Sequence, residues 1–178
     1  LPTPYPVGDV NVYAILGAVP TLVDVGPGTA EAWEALVRGL AAHGLAPADF
    51  VQVVITHTHA DHFTQLPRFL AEAAGRGHRE GPAGRGRPRV AAHRWGARNF
   101  RGGDDPQRVA FFRRFVRLAG VPAADAEALL RGLAGFLAIE PRLAVDRWLD
   151  DGDTVTMGDD RWRVLHTPGH AQSQICLY

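Results

Sequence analysis

The segment from residue 50 to residue 62 constrains this chain more than any other. An almost continuous apolar run, Phe50 to Ile55, has the length and composition of a buried strand. Directly after it, three histidines and one aspartate fall within six positions, His57-Thr58-His59-Ala60-Asp61-His62. Imidazole and carboxylate groups are ligands for divalent cations, and four of them so close together indicate a metal site for one or two ions. The sequence thus predicts a metal site at the carboxyl end of a buried strand.

Chain geometry allows these ligands to converge. His57 and His59 are two residues apart, so on an extended segment their side chains point the same way. Asp61 and His62 follow after the chain turns and can face the same cavity from another side.

A second cluster, Thr167-Pro168-Gly169-His170, also follows a predicted strand. Gly169 permits a turn in which the backbone approaches a metal closely. A first ion held by His57, His59 and His170 would keep one open coordination position, as catalytic zinc sites do. Asp61 and His62 would begin a second site.

Composition is that of an ordinary globular domain. The 178 residues are 46% hydrophobic and 21% charged, with a formal net charge of zero, and are sufficient for one domain with a sizeable core. This balance gives no support for a nucleic-acid partner, and no segment has the length and apolarity to span a bilayer. We expect a small-molecule substrate and neither a nucleic-acid nor a membrane partner. All 19 basic residues are arginine, which excludes a lysine nucleophile.

The single cysteine, Cys176, excludes an intrachain disulfide and indicates a reducing compartment, so we expect a cytoplasmic protein. Its apolar neighbours predict that the thiol is buried and inert. The chain begins Leu1-Pro2 without an initiator methionine, a start that is also compatible with a removed signal peptide.

Hydrophobic periodicity predicts an α/β order of elements. An apolar helical pattern after Thr29, a typical N-cap residue, continues to Gly44. The predicted strands are Val10 to Leu16, Thr21 to Val25, Phe50 to Ile55, Val90 to Ala92, Trp148 to Thr156, Arg161 to Leu165 and a last one from Ile175. The further predicted helices are Leu66 to Ala74, Pro106 to Ala119 and Ala123 to Leu137.

The last two helices lie between strand patterns and predict a helical insertion at about 95–140 within a single domain, 1–178. Five residues are expected to pack this insertion: Phe111, Phe112, Phe115, Phe136 and Leu137. A Gly- and Arg-rich exposed loop precedes it at 75–88, and residues 76–101 contain eight arginines and one glutamate. The simplest interpretation is a solvated surface, and the alternative is a basic mouth for an anionic substrate or RNA. His93 and His166 are expected to have structural or rim roles.

Three motifs resemble, in order and spacing, those of the metallo-β-lactamase-fold hydrolases. They are Asp24-Val25-Gly26, the hexapeptide His57 to His62, and Thr167 to His170. The resemblance covers nearly the whole chain and implies an αβ/βα sandwich with metals at the edge between two sheets. It also implies that His57, His59 and His170 hold one ion, that Asp61 and His62 hold a second, and that Asp24 supports the site through hydrogen bonds.

The resemblance has limits. Members of the family continue with a bridging aspartate and a later histidine, and this chain ends at Tyr178 before either, which predicts a domain incomplete at its C-terminus. Thr64-Gln65 and Ser173-Gln174 stand where many members have Gly-Gly and Gly-His.

The activity that the resemblance implies is hydrolysis of an ester, thioester, lactone or amide-like bond by a metal-activated hydroxide that Asp61 orients. Zinc is the expected metal, with iron or manganese as alternatives. His59 stands where flavo-diiron relatives tend to have glutamate, which favours the hydrolytic branch. Two alternatives stay open: an iron-dependent persulfide dioxygenase, and a catalytically incomplete domain that binds metal or a partner.

Overall fold

The computed structural model of the chain describes residues 1–74, 86–103 and 106–178. Most of the predicted loop at 75–88 and the predicted packing of the Phe136 side chain lie outside what it describes. None of the helices among these residues is long and apolar enough to cross a membrane.

The larger sheet has five strands in the order β1-β2-β3-β4-β5. Its first two strands, β1 (Tyr13–Ile15) and β2 (Thr21–Val23), form an antiparallel hairpin within two of the predicted strands. The other three, β3 (Gln52–Ile55), β4 (Arg89–His93) and β5 (Arg147–Leu149), run parallel to β2. The carboxyl ends of parallel strands meet at one edge of a sheet, so the residues that follow β2, β3 and β4 are brought together there.

The smaller sheet is antiparallel and contains β6 (Thr154–Met157), β7 (Asp160–His166) and β8 (Ile175–Leu177). The prediction of a single strand from Trp148 to Thr156 is therefore wrong. A turn separates β5 from β6, in which the backbone N–H of Asp150 donates to Oδ2 of Asp153 at 2.9 Å and Gly152 has a φ of 81°. This turn moves the chain from one sheet to the other.

Among the described residues, five α-helices accompany the sheets: α1 (Ala30–Ala42), α2 (Ala60–Phe63), α3 (Leu66–Ala74), α4 (Pro106–Leu118) and α5 (Ala123–Ala138). Short 3₁₀ turns occupy Pro47–Asp49 and Arg94–Gly96. The predicted cap is confirmed, since Oγ1 of Thr29 accepts a hydrogen bond from the N–H of Ala32 at 3.2 Å. The predicted boundaries of the helical insertion stay a prediction.

Apolar clusters cover both faces of the larger sheet. Successive side chains along each of its strands point to opposite faces and so belong to different clusters. Val53 and Val90 face α1 and α3, where Trp33, Leu36 and Phe69 are buried. Val54 and Ala91 face the smaller sheet and pack with Val155, Met157, Val164 and Ile175. The layers are thus helices, the five-stranded sheet and the three-stranded sheet.

Two packing predictions are wrong. Cys176 is exposed, because in the short strand β8 its neighbour Ile175 takes the inward position and turns the thiol outward. Phe111 and Phe115 are 59% and 57% exposed and stack on each other along the surface of α4, whereas Leu137 of α5 is buried as predicted.

Replacement of Phe69 by alanine should lower the free energy of unfolding by about 3–5 kcal/mol, because its ring is fully buried beside Phe50 and leaves a cavity. Urea unfolding followed by circular dichroism measures the change. Phe111→Ala is the matched control and should cost less than about 1 kcal/mol. Equal losses in the two variants would contradict the assigned core.

Candidate metal centre

Three imidazoles from two distant segments of the chain meet at the carboxyl edge of the larger sheet. One ligand nitrogen from each of His57, His59 and His170 lies within 4.8 Å of the other two. Nδ1 of His59 and Nε2 of His170 are 2.9 Å apart, although 111 positions separate the two residues. Within the described residues this is the one group of three or more candidate ligands. The structure therefore brings together the three histidines expected to hold a first ion.

His57 is the deepest of the three. Its side chain follows β3 and is 7% exposed, whereas His170 is exposed. Nδ1 of His57 is 3.1 Å from the hydroxyl of Thr56. Nε2 of His57 is buried and has no hydrogen-bond partner in the structure. A buried polar atom without a partner costs about 1–3 kcal/mol, and a cation bound at Nε2 would remove this cost. The donor set fits a divalent metal ion of the zinc type.

The electrostatics favour neutral imidazoles. Burial, followed by the neighbouring His62, His59 and His170, lowers the pKa of His57 to about 3. Burial and the nearby His170 also lower the pKa of His59. At neutral pH both side chains therefore keep the free nitrogen lone pairs that metal binding requires.

Asp24 connects the ends of β2 and β3 to α2. Its backbone has a φ of 60°, its side chain is buried, and its carboxylate accepts three hydrogen bonds. Two come from Thr56, from the backbone N–H at 2.8 Å and from the hydroxyl at 2.7 Å. The third joins Oδ2 of Asp24 to Nδ1 of His62 at 2.8 Å. Because an ionised carboxylate only accepts, this contact places the proton on Nδ1 and leaves Nε2 of His62 for a metal.

His62 differs electrostatically from His57. Burial lowers its pKa, but the hydrogen bond with Asp24 and the charges of Asp24 and Asp61 outweigh burial, and the pKa is raised. Nε2 of His62 lies 3.5 Å from Oδ2 of Asp61. The structure therefore places the two residues expected to begin a second site next to each other, and the ring of His62 lies 4.0 Å from that of His57.

Several supporting residues were not predicted from the sequence. The hydroxyl of Thr56 bridges Asp24 and His57. Thr58 and Ser173 are both buried, and Oγ of Ser173 accepts from the backbone N–H of Thr58 at 3.1 Å. This contact ties the hexapeptide loop to the segment that carries His170. A hydroxyl at each position was visible in the sequence, but its partner depends on how the two sheets are placed.

His93 and His166 form a second histidine pair beside the centre. Their rings stack at a centroid distance of 4.0 Å and an interplanar angle of 15°. His93 is buried and its Nδ1 accepts from the N–H of Trp95, while Nε2 of His166 contacts the carbonyl of Gln172 at 2.8 Å. The stacked rings and their hydrogen bonds indicate that His93 and His166 have a structural role.

The comparisons with known proteins agree with this architecture. The sequence model of the metallo-beta-lactamase superfamily matches residues 5–178, and the chain belongs to this superfamily. Its mixed α/β structure has the metallo-β-lactamase fold, which confirms the predicted fold class.

Individual relatives are also similar. The chain is 34% identical, over its full length, to 51% of a protein of Bacillus subtilis named probable metallo-hydrolase YqjP. A metallo-beta-lactamase family protein of Thermus thermophilus, TTHA1429, matches all of the chain and 53% of its own length with 30% identity and a TM-score of 0.73. The acyl-coenzyme A thioesterase MBLAC2 of Bos taurus is 27% identical over 80% of this chain and 42% of its own length. The chain thus spans about half the length of the relatives it matches.

Metal-free protein should lose stability as the pH falls below 6.5, in part through His57. Between its unfolded pKa of 6.5 and its folded pKa of about 3, the unfolded state binds a proton at His57 that the folded state does not. The raised pKa of His62 has the opposite effect. The protonated His62 side chain stabilises the folded state below pH 6.5, and this stabilisation is lost as the pH rises through the folded-state pKa of His62.

The His57→Gln variant isolates the contribution of His57. After removal of metal by a chelator, urea unfolding at about pH 7.5 and about pH 5 should show a smaller acid loss in this variant than in the wild type. The control variant His43→Gln, at the exposed end of α1, should lose as much stability between the two pH values as the wild type does. An equal loss in the wild type and His57→Gln would show that His57 is not held neutral by its surroundings.

Proposed function

We propose that this chain carries the catalytic centre of a metal-dependent hydrolase that cleaves an ester, thioester, lactone or amide-like bond. The observation that supports this most strongly is the convergence of one imidazole nitrogen from each of His57, His59 and His170, together with the buried Nε2 of His57, which has no hydrogen-bond partner. Membership of the superfamily and the 34% identity to a probable metallo-hydrolase support the reaction class.

In this proposal His57, His59 and His170 hold one divalent cation, and Asp61 and His62 contribute to a second. Zinc is the metal that suits three imidazoles with one open position. Asp24 holds the proton on Nδ1 of His62 and fixes the orientation of that ring.

A divalent cation bound at this centre would polarise a carbonyl group and lower the pKa of a coordinated water to about 7. The side chains of the protein provide the rest. The burial of His57 excludes bulk water from the inner side of the centre, and the exposure of His170 leaves the outer side open to a substrate. Asp61, on the first turn of α2, can accept a hydrogen bond from the attacking water and orient it toward the carbonyl carbon.

Among the bonds named, we propose thioesters as the first to test, because the relative MBLAC2 is named an acyl-coenzyme A thioesterase. A thioester has a thiolate leaving group, which departs without the protonation that an amine needs, so the arrangement requires no separate general acid.

His57→Ala should remove the metal and the activity together. We expect metal affinity to fall by more than about 100-fold, because the variant lacks one of three ligands of the first ion. Zinc and iron content by elemental analysis and thioester turnover are the measurements, and His43→Ala is the matched surface control. Retention of both metal and turnover in His57→Ala would overturn the proposal. A preparation rich in iron that consumes oxygen with a persulfide would favour the dioxygenase alternative instead.

Asp24→Asn should weaken metal binding by about 10–100-fold while the fold stays intact. An amide of similar size cannot accept all three hydrogen bonds that the carboxylate receives from Thr56 and His62. Competition with a chromophoric chelator measures the affinity, and Asp9→Asn, at an exposed position, is the control. An affinity equal to that of the control would mean that Asp24 does not support the centre.

A further inference from the structure

An exposed tryptophan lies next to the candidate metal centre. Trp95 is the middle residue of the 3₁₀ turn Arg94–Gly96, and its side chain is 61% exposed. Within the described part of the chain its indole makes no hydrogen bond and no ring contact. An indole can bury a large apolar area against a partner, so this ring is available to a ligand.

The turn that carries Trp95 packs directly on the metal-centre loops. A Cβ atom added at Gly96 would lie 2.7 Å from Cγ2 of Thr58 and 3.3 Å from Cβ of Ser173. The turn therefore rests on Thr58, which lies between two of the candidate ligands in the hexapeptide. The backbone N–H of Trp95 also donates to Nδ1 of the buried His93, at the end of β4, at 3.3 Å. These contacts fix the backbone of Trp95 beside the centre.

The ring of Trp95 lines a cavity of about 570 Å³ that reaches the loop of His170. Gln172, two residues after His170, lines the same cavity. His170 is exposed and lies on the side of the centre that is open to a substrate. A group in the cavity would thus lie beside the open side of the metal centre.

The lining of this cavity suits a flat ring. Arg94 pairs with Asp150 and Arg108 pairs with Glu140, so the charges of these two lining arginines are matched. Their guanidinium groups are planar, and such groups stack on aromatic rings. Among the described residues that line the cavity, Trp95 is the one with an aromatic ring. An indole face prefers stacked or edge-to-face contact with another aromatic ring.

We propose that this cavity binds a planar aromatic group on the acyl part of the substrate, against the ring of Trp95, while the scissile carbonyl reaches the metal centre. Trp95 is then a residue that determines substrate specificity. The assignment of the carbonyl rests on the proposed hydrolase function, whereas the contact between the aromatic group and Trp95 does not.

Binding of phenylacetate and cyclohexylacetate tests this contact without turnover. The two ions share the carboxylate and the carbon skeleton, and phenylacetate alone has a planar aromatic ring. In ¹H–¹⁵N NMR of the zinc-loaded protein, phenylacetate should shift the indole resonance of Trp95 and bind at least about fivefold more tightly than cyclohexylacetate. The indole resonance is assigned by its absence in Trp95→Leu. The shift should persist in metal-free protein at higher ligand concentration, because the ring contact does not involve the metal.

Trp95→Leu should lose the preference for phenylacetate, with circular dichroism confirming its fold, whereas Trp95→Tyr, which keeps an aromatic ring, should retain it. Tyr13→Leu is the matched control. It removes an exposed ring from the edge strand β1 and should bind both ions as the wild type does. Equal affinity of the wild type for the two ions, or a preference that survives in Trp95→Leu, would overturn the proposal.

Turnover then separates this inference from the proposed function. Wild-type protein should hydrolyse the phenylacetyl thioester of N-acetylcysteamine with a lower KM than the cyclohexylacetyl thioester. Trp95→Leu should lose that difference in KM while kcat changes little. Absence of any hydrolysis, with phenylacetate binding that depends on Trp95, would reject the hydrolase alone. Hydrolysis of both thioesters with equal KM, and no shift of the Trp95 resonance, would reject the aromatic site alone.

Discussion

The candidate centre depends first on the buried carboxylate of Asp24. Parallel pairing of β2 with β3 places this side chain beside Thr56, from which it accepts two hydrogen bonds, and beside His62, from which it accepts a third. One group therefore holds together the ends of two strands and the first turn of α2. The positive φ of Asp24 is a local strain that these three contacts offset. These contacts orient the ring of His62 and hold Thr56, the residue before His57, in place.

Much of this arrangement could be predicted because its signals are local. The apolar run before His57, the spacing of the ligands in the hexapeptide and the Thr29 cap depend only on neighbouring residues. The approach of His170 to His59 has no local signal. It is expected from the ligand types in the two clusters and from the family resemblance, and it requires the chain to change sheets at Asp150–Asp153. The sequence there reads as one continuous strand, and the turn was missed. The outward orientation of the Cys176 side chain was not predicted either. A strand of three residues is too short for its alternation to show which side chains face the core.

Membership of the superfamily supports the proposed hydrolytic reaction class but does not indicate a substrate. The chain spans about half of the relatives it matches, and their names range from metallo-hydrolase to acyl-coenzyme A thioesterase. The candidate metal centre lies where β2 and β3 of the larger sheet and β7 of the smaller sheet end. Strand ends give a site rigid support while the loops around them can vary, so one fold can serve many substrates.

In the proposed centre, His57, His59 and His170 together hold one divalent cation. X-ray absorption at the zinc edge, on protein loaded with one equivalent of zinc, counts the imidazoles around the ion. The arrangement predicts nitrogen or oxygen neighbours at about 2.0–2.1 Å, with the scattering pattern of three imidazole rings. It further predicts that His170→Ala reduces the count to two rings. A spectrum with no more than one imidazole, or one that His170→Ala leaves unchanged, would contradict this set of three ligands.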